Sequence, residues 1–193
     1  LRKYKKLFKR EITRDDIVAF HEPDDVFEPR TLLGVDVQPK SPFDPAKHKA
    51  VIGIGAPRTR EKVAGELPAG TEFETLVHPT VVMSQWVELG HGTIVCAGAV
   101  LTCQISLGAH CHLNLNTTVG HDCTFGDYCT VAPGANISGN CEFGDRVDVG
   151  TQAALRQGLR VCSDVVIGMG AVVVKSIDEP GTYVGVPAQK VRK

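Results

Sequence analysis

No stretch of the 193-residue chain approaches the roughly 20 consecutive apolar residues that a membrane-crossing helix requires. Charge of one sign is lacking too. The 21 Lys and Arg against 22 Asp and Glu leave a net charge of -1, too little for a general attraction to nucleic acid or to an anionic membrane. The one concentrated basic stretch, LRKYKKLFKR at residues 1–10, reads as a solvated helix face. No apolar signal core follows it, which makes the cytoplasm the expected compartment. Seven cysteines are present without a single CxxC pair, the spacing a zinc-thiolate site would use; in the cytosol reduced thiols are expected. No G-x-G-x-x-G precedes residue 17, so the glycine fingerprint of a dinucleotide site is missing. What remains is a globular composition, 42% hydrophobic and 22% charged, long enough for one ordinary domain or a small one beside a second.

What is present is a period of six. Stepping from Val77 in sixes through Val119, Phe125 and Val131 to Val173 meets an apolar residue at every position, seventeen in succession. Chance would give this about four times in ten million, so the period is real. Four residues after each comes a second set, from Val81 through Cys111, Cys123, Cys129 and Cys141 to Ala171, all small, β-branched or aliphatic. Two inward positions per six residues suit a short strand followed by a corner. Glycine at Gly90, Gly108, Gly120, Gly126, Gly144, Gly150 and Gly168 follows the large apolar residue, where the chain must turn. Such a period is the signature of a parallel β-helix. The register turns Cys111, Cys123, Cys129 and Cys141 inward as small core residues rather than ligands.

The hexads LGAHCH, VGHDCT, FGDYCT, FGDRVD and IGMGAV resemble those of left-handed parallel β-helix acyltransferases, with three hexads to each eighteen-residue coil. The segment TTVGHDCTFGDY resembles the branch that acetylates nucleotide-linked amino sugars or the hydroxyls of sialic acid. That resemblance implies acetyl-CoA as co-substrate, His121 as general base, Asp122 as its partner, and a homotrimer with coenzyme A between neighbouring β-helices. Imidazole suits the role, since it titrates at about 6.5 when unperturbed, and the thioester oxyanion would fall to backbone N–H groups. Position 130, where members carry a second histidine on the thioester, is Thr130; the resemblance assigns it, with Thr151 and Met169, to acetyl-CoA. Lys190, Arg192 and Lys193 are candidates for the coenzyme A phosphates. O-acetylation of a sialic-acid-type sugar remains open at this level, as does a non-catalytic β-helix scaffold. A zinc hydratase like the carbonic anhydrases on this fold needs histidines five residues apart. None of the spacings among His91, His110, His112 and His121 is five. His110 and His112 flank an inward cysteine and so point outward; His78 resembles the family's first-coil entry.

Ahead of the repeat, HKAVIGIGAPRTREKVAGELPAG reads as a strand from Ala50 to Ile54, a turn at Gly55 and a helix from Thr59 to Leu67 ended by Pro68. A second strand is expected at Ile17 to Phe20, with acids at its end. This pattern belongs to an α/β nucleotide-binding layer and resembles the small Rossmann-like domain that precedes the β-helix in amino-sugar acetyltransferases. There the positions of His21, Glu22 and Gly55 touch the nucleotide sugar. Those proteins open with a glycine-rich acceptor loop, so either a start has been lost from the chain beginning at Leu1 or the acceptor is held differently. The tail EPGTYVGVPAQKVRK matches the family's closing segment. The expected division is residues 1–74 as acceptor domain, 75–176 as β-helix and 177–193 as cap.

Overall fold

The computed structural model describes residues 17–22, 27–39 and 43–191. The basic stretch at residues 1–10, the acids Asp24 and Asp25, Arg192 and Lys193 lie outside the described residues. The chain divides into two compact units, Leu1–Lys49 with Pro68–Glu72 and Ala50–Leu67 with Phe73–Lys193.

In the first unit, β1 (Phe20–Glu22) runs parallel to β3 (Val35–Pro39), and β2 (Thr31–Leu32) pairs antiparallel with β3. The β2–β3 connection is two residues long, with Leu33 at φ 50 and Gly34 at φ 74. Two successive positive φ values fit the right-handed twist of a hairpin. Val35 and Val37, alternating on one face of β3, are buried. The strand expected at Ile17 begins only at Phe20.

The second unit is a left-handed parallel β-helix. Its strands are mostly two residues long and stack in register with partners eighteen positions away, as in Thr118↔Asn136 and Phe125↔Phe143. Three faces result. One contains Ile94–Val95, His112–Leu113, Thr130–Val131 and Asp148–Val149; the second Val100–Leu101, Thr118–Val119, Asn136–Ile137 and Ala154–Leu155; the third Ile105–Leu107, Thr124–Phe125 and Glu142–Phe143. The sixfold phase is the core: from Val95 to Val173 every large position is buried. Each completely buried Leu, Ile or Phe contributes about 1.5–3 kcal/mol, and Phe125 stacks on Phe143 at 4.4 Å between ring centres.

Cys111, Cys123, Cys129 and Cys141 are buried at the small inward positions as free thiols, while Cys96, Cys103 and Cys162 are half-buried. The four buried thiols do more than fill space. Each donates to a carbonyl fifteen residues ahead, Cys111 Sγ to Gly126 O at 3.2 Å, Cys129 to Gly144 at 3.1 Å, Cys123 to Ser138 and Cys141 to Arg156 at 3.3 Å. A weak donor of small size thus satisfies a corner oxygen that alanine would leave bare. The adjacent Cys141 thiol and burial push the Cys123 thiol up, and the Cys111 thiol and burial do the same to Cys129.

The strand expected over residues 50–54 is reduced to a single bridge between Ala50 and Phe73. Helix α1 (Pro57–Glu66) starts two residues before the expected Thr59 because Pro57 sits in its first turn, where a missing N–H costs nothing. It ends at Glu66 because Leu67, ahead of Pro68, is held extended at ψ 153. Turn and helix fall in the same compact unit as the β-helix, whereas Pro68–Glu72 falls with the first unit. At the far end Gly181–Val184 continues the first face parallel to Val165–Ile167, and Gln189–Lys190 folds back antiparallel to close it.

Candidate active site

His121 sits at the corner between the second and third faces. The corner is built by stacking: Asn140 N donates to His121 O at 2.7 Å from the coil after, and Asp122 N donates to Cys103 O at 3.1 Å in the coil before. Asp122 takes the left-handed conformation, φ 58, that the corner requires at this place; aspartate tolerates it better than most residues. That backbone brings its carboxylate beside the preceding side chain, and Asp122 Oδ2 lies 2.6 Å from His121 Nδ1. A carboxylate only accepts, so the shared proton belongs to Nδ1 and Nε2 presents a lone pair. Both side chains are about half exposed, 50% and 42%. Beneath the ring, one coil on, is Gly139. A Cβ there would stand 2.8 Å from His121 Cε1 and Nε2, so the imidazole lies where only glycine leaves room.

Thr151 and Met169 stack at the corner between the first and second faces, joined by Gly170 N to Thr151 O at 2.8 Å. Thr151 is exposed and Met169 81% so. This corner and that of His121 are the two edges of the second face, so one chain does not bring them together.

Thr130, assigned to acetyl-CoA by resemblance, has a buried side chain that donates to Gly55 O at 2.7 Å and accepts from Arg60 Nη2 at 2.9 Å. With its single proton engaged, it has none to give a thioester. The same covering segment buries His110 and His112, which point out of the β-helix. His110 stacks on Tyr128 at 5.0 Å with planes 2° apart and meets Phe73 and His91 edge-on. Burial, then the positive charge of His91 and Arg60, pulls the His110 pKa down to about 4 against a weaker opposing pull from Asp127. Burial and Arg60 bring His112 to about 4 as well, partly opposed by the Ile52 backbone. Sequence periodicity gives no sign of Arg60, a cation with no exposed surface.

The two histidines carry a prediction. Their folded pKa values lie below the unfolded value of about 6.5, so between pH 6.5 and 4 the unfolded chain binds protons that the folded chain refuses. Stability is complete above about pH 7 and falls as pH drops through 4. By pH 5 the loss is about 2 kcal/mol per histidine. Urea unfolding at pH 7.5 and pH 5 measures it, and His110→Phe with His112→Gln is expected to remove most of the difference.

In the first unit His21 Nδ1 contacts Pro39 O at 2.9 Å, and its ring meets Phe43 edge-on. The Glu22 carboxylate is held by both terminal nitrogens of Arg30, whose own pKa rises through that hydrogen bond. Lys190 Nζ pairs with Glu179 at 2.8 Å.

No family profile matches the chain. It is 31% identical over 155 residues, 78% of this chain and 69% of the relative, to GDP-perosamine N-acetyltransferase of Escherichia coli. WeeI from Acinetobacter baumannii superposes with a TM-score of 0.86 at 34% identity, covering 97% of this chain and 91% of that one. The acetyltransferase domain of PglB from Neisseria gonorrhoeae, in complex with acetyl coenzyme A, gives 0.81 at 30% identity over 86% and 84%. A mutant perosamine N-acetyltransferase from Caulobacter crescentus, in complex with CoA and GDP-perosamine, gives 0.79 at 26% over 85% and 81%. With the hexad solenoid and the His121–Asp122 corner already in hand, these likenesses are those of kin: the chain belongs to the hexapeptide-repeat nucleotide-sugar N-acetyltransferases.

Proposed function

We propose that this protein moves the acetyl group of acetyl-CoA directly onto the amine of a nucleotide-linked amino sugar, with His121 as general base. The observation that carries the reading is the imidazole whose Nδ1 is held by Asp122, leaving Nε2 open on a rigid corner. Acetyl-CoA is the co-substrate, as the complexes of its structural neighbours support. Nε2 takes a proton from the amine as the nitrogen attacks the thioester carbonyl. The C–N bond forms, the carbonyl electrons move to oxygen, and the carboxylate of Asp122 stabilises the imidazolium. The oxyanion then collapses, the C–S bond breaks, and the imidazolium returns its proton to the departing thiolate. Gly139 N–H, without a partner among the described residues, is a candidate donor to the oxyanion. Incubation with acetyl-CoA and a panel of UDP-, GDP- and dTDP-linked amino sugars tests the reading. Thiol release coupled to a sugar heavier by one acetyl is expected; release with no sugar product in any arm overturns it.

The acceptor is assigned to His21, Glu22 and Gly55, and acetyl-CoA to Thr151 and Met169. A homotrimer in the cytoplasm completes the proposal. The first face is covered at His112 and Thr130 by the segment that carries Gly55 and Arg60, and the third projects Glu88, Ser106, Thr124, Glu142 and Arg160. The second alone projects a mostly small, apolar column, Val82, Val100, Thr118, Asn136, Ala154 and Val172. Packing this face around a threefold axis brings the His121 edge of one protomer against the Thr151–Met169 edge of the next. Light scattering is expected to give three times the 20.7 kDa chain mass, and Val100→Glu to yield monomers that have lost activity.

A further inference from the structure

Every acceptor that Arg60 reaches is uncharged. Nε donates to His110 O at 2.9 Å, Nη1 to Ile54 O at 2.6 Å and Gly55 O at 2.8 Å. Nη2 serves Tyr128 O at 2.8 Å, Cys129 O at 3.2 Å and Thr130 Oγ1 at 2.9 Å. Burying a guanidinium without a paired carboxylate is unfavourable, and burial indeed draws its pKa below the ordinary arginine value. Packing alone would be served better by leucine or methionine. What arginine adds is a planar fork of five N–H donors that binds two elements at once. One element is the pair of β-helix corners at His110 and Tyr128, which precede and follow His121 in the chain. The other is the turn ahead of α1.

Thr130 completes the arrangement, so Gly55 O receives hydrogen bonds from both Arg60 and Thr130. Peptide planarity transmits the constraint. With the Ile54 and Gly55 carbonyls drawn inward, the N–H groups of Gly55 and Ala56 on the same peptides point the opposite way. Neither has a partner among the described residues. Two adjacent backbone donors are thereby held facing away from the β-helix, at a fixed height above the coil that carries His121.

We infer that Arg60, seconded by Thr130, is a positioning residue for the sugar acceptor: it sets the Gly55–Ala56 peptides against which the nucleotide sugar is aligned. The inference rests on the assignment of Gly55 to the acceptor. It also gives Thr130 a role other than contact with the acyl donor, and the two roles separate in kinetics.

Thr130→Val keeps the shape and removes the hydroxyl; Arg60→Lys keeps the cation and removes the fork. Steady-state kinetics with the amino sugar that wild type acetylates are expected to show the acceptor KM raised about 10-fold in the first and about 30-fold in the second. The acetyl-CoA KM is expected to stay within about twofold, and amide hydrogen exchange at Gly55 and Ala56 to accelerate. An acetyl-CoA KM that rises alongside the acceptor KM, or an acceptor KM unchanged in a folded variant, overturns the inference. If Arg60→Lys does not fold, Thr130→Val decides alone. A wild type that acetylates none of the sugars is a different result: it removes the acceptor assignment, and this inference with it.

Discussion

His121→Asn is expected to lower kcat by about 10²- to 10⁴-fold, the range a lost general base costs. The carboxamide retains polarity and fits the corner, but it has no nitrogen lone pair able to take a proton from an amine. Because the His121 side chain is half exposed and belongs to no core cluster, the thermal midpoint and acetyl-CoA affinity are expected to stay close to wild type. That separation matters, since a slow variant that also lost stability would say little about chemistry. Asp122→Asn is expected to cost about 10- to 10²-fold, because its amide can present a donor to Nδ1 and favour the wrong tautomer. Single-turnover measurement at saturating acetyl-CoA reads the chemical step directly. Transfer within tenfold of wild type in His121→Asn would assign the base elsewhere.

The repeat was legible because every hexad states the same constraint again, so seventeen positions vote on one phase. The inward cysteines followed from it, although their S–H contacts did not, because they depend on how each corner stacks against a carbonyl fifteen residues on in the next eighteen-residue coil. His121 and Asp122 were legible as an outward pair, and their contact follows from the corner's positive φ. What periodicity cannot give is the content of the space across a face. It correctly turns His110, His112 and Thr130 away from the prism axis, yet all three are buried, because residues 50 to 60 return from 50 to 75 positions away to cover them. Arg60 was hidden for the same reason: on a helix of mixed polarity nothing local marks which cation will be buried. Gly139 could have been found by adding one coil to His121, where the other corners place side chains.

Gly139→Ala is expected to cost about 10²-fold or more in kcat while leaving the fold intact. The backbone offers no objection, since Gly139 is outside the left-handed region that favours glycine. The objection is spatial: an added Cβ at 2.8 Å from His121 Cε1 and Nε2 is closer than carbon and nitrogen tolerate, and the neighbouring groups are the reacting ring itself. The imidazole has solvent on its other side and can swing out, so stability falls little; in doing so it stretches the 2.6 Å contact with Asp122 and carries Nε2 away from the amine. Two consequences distinguish this from a general defect. The single-turnover rate should fall at least as far as in Asp122→Asn, because the ring loses both its carboxylate and its aim. And because alanine acts through His121, the double variant Gly139→Ala/His121→Asn should be no more than about twofold slower than His121→Asn alone. Losses that multiply would place the effect of Gly139 outside the base, at its own N–H group beside the oxyanion.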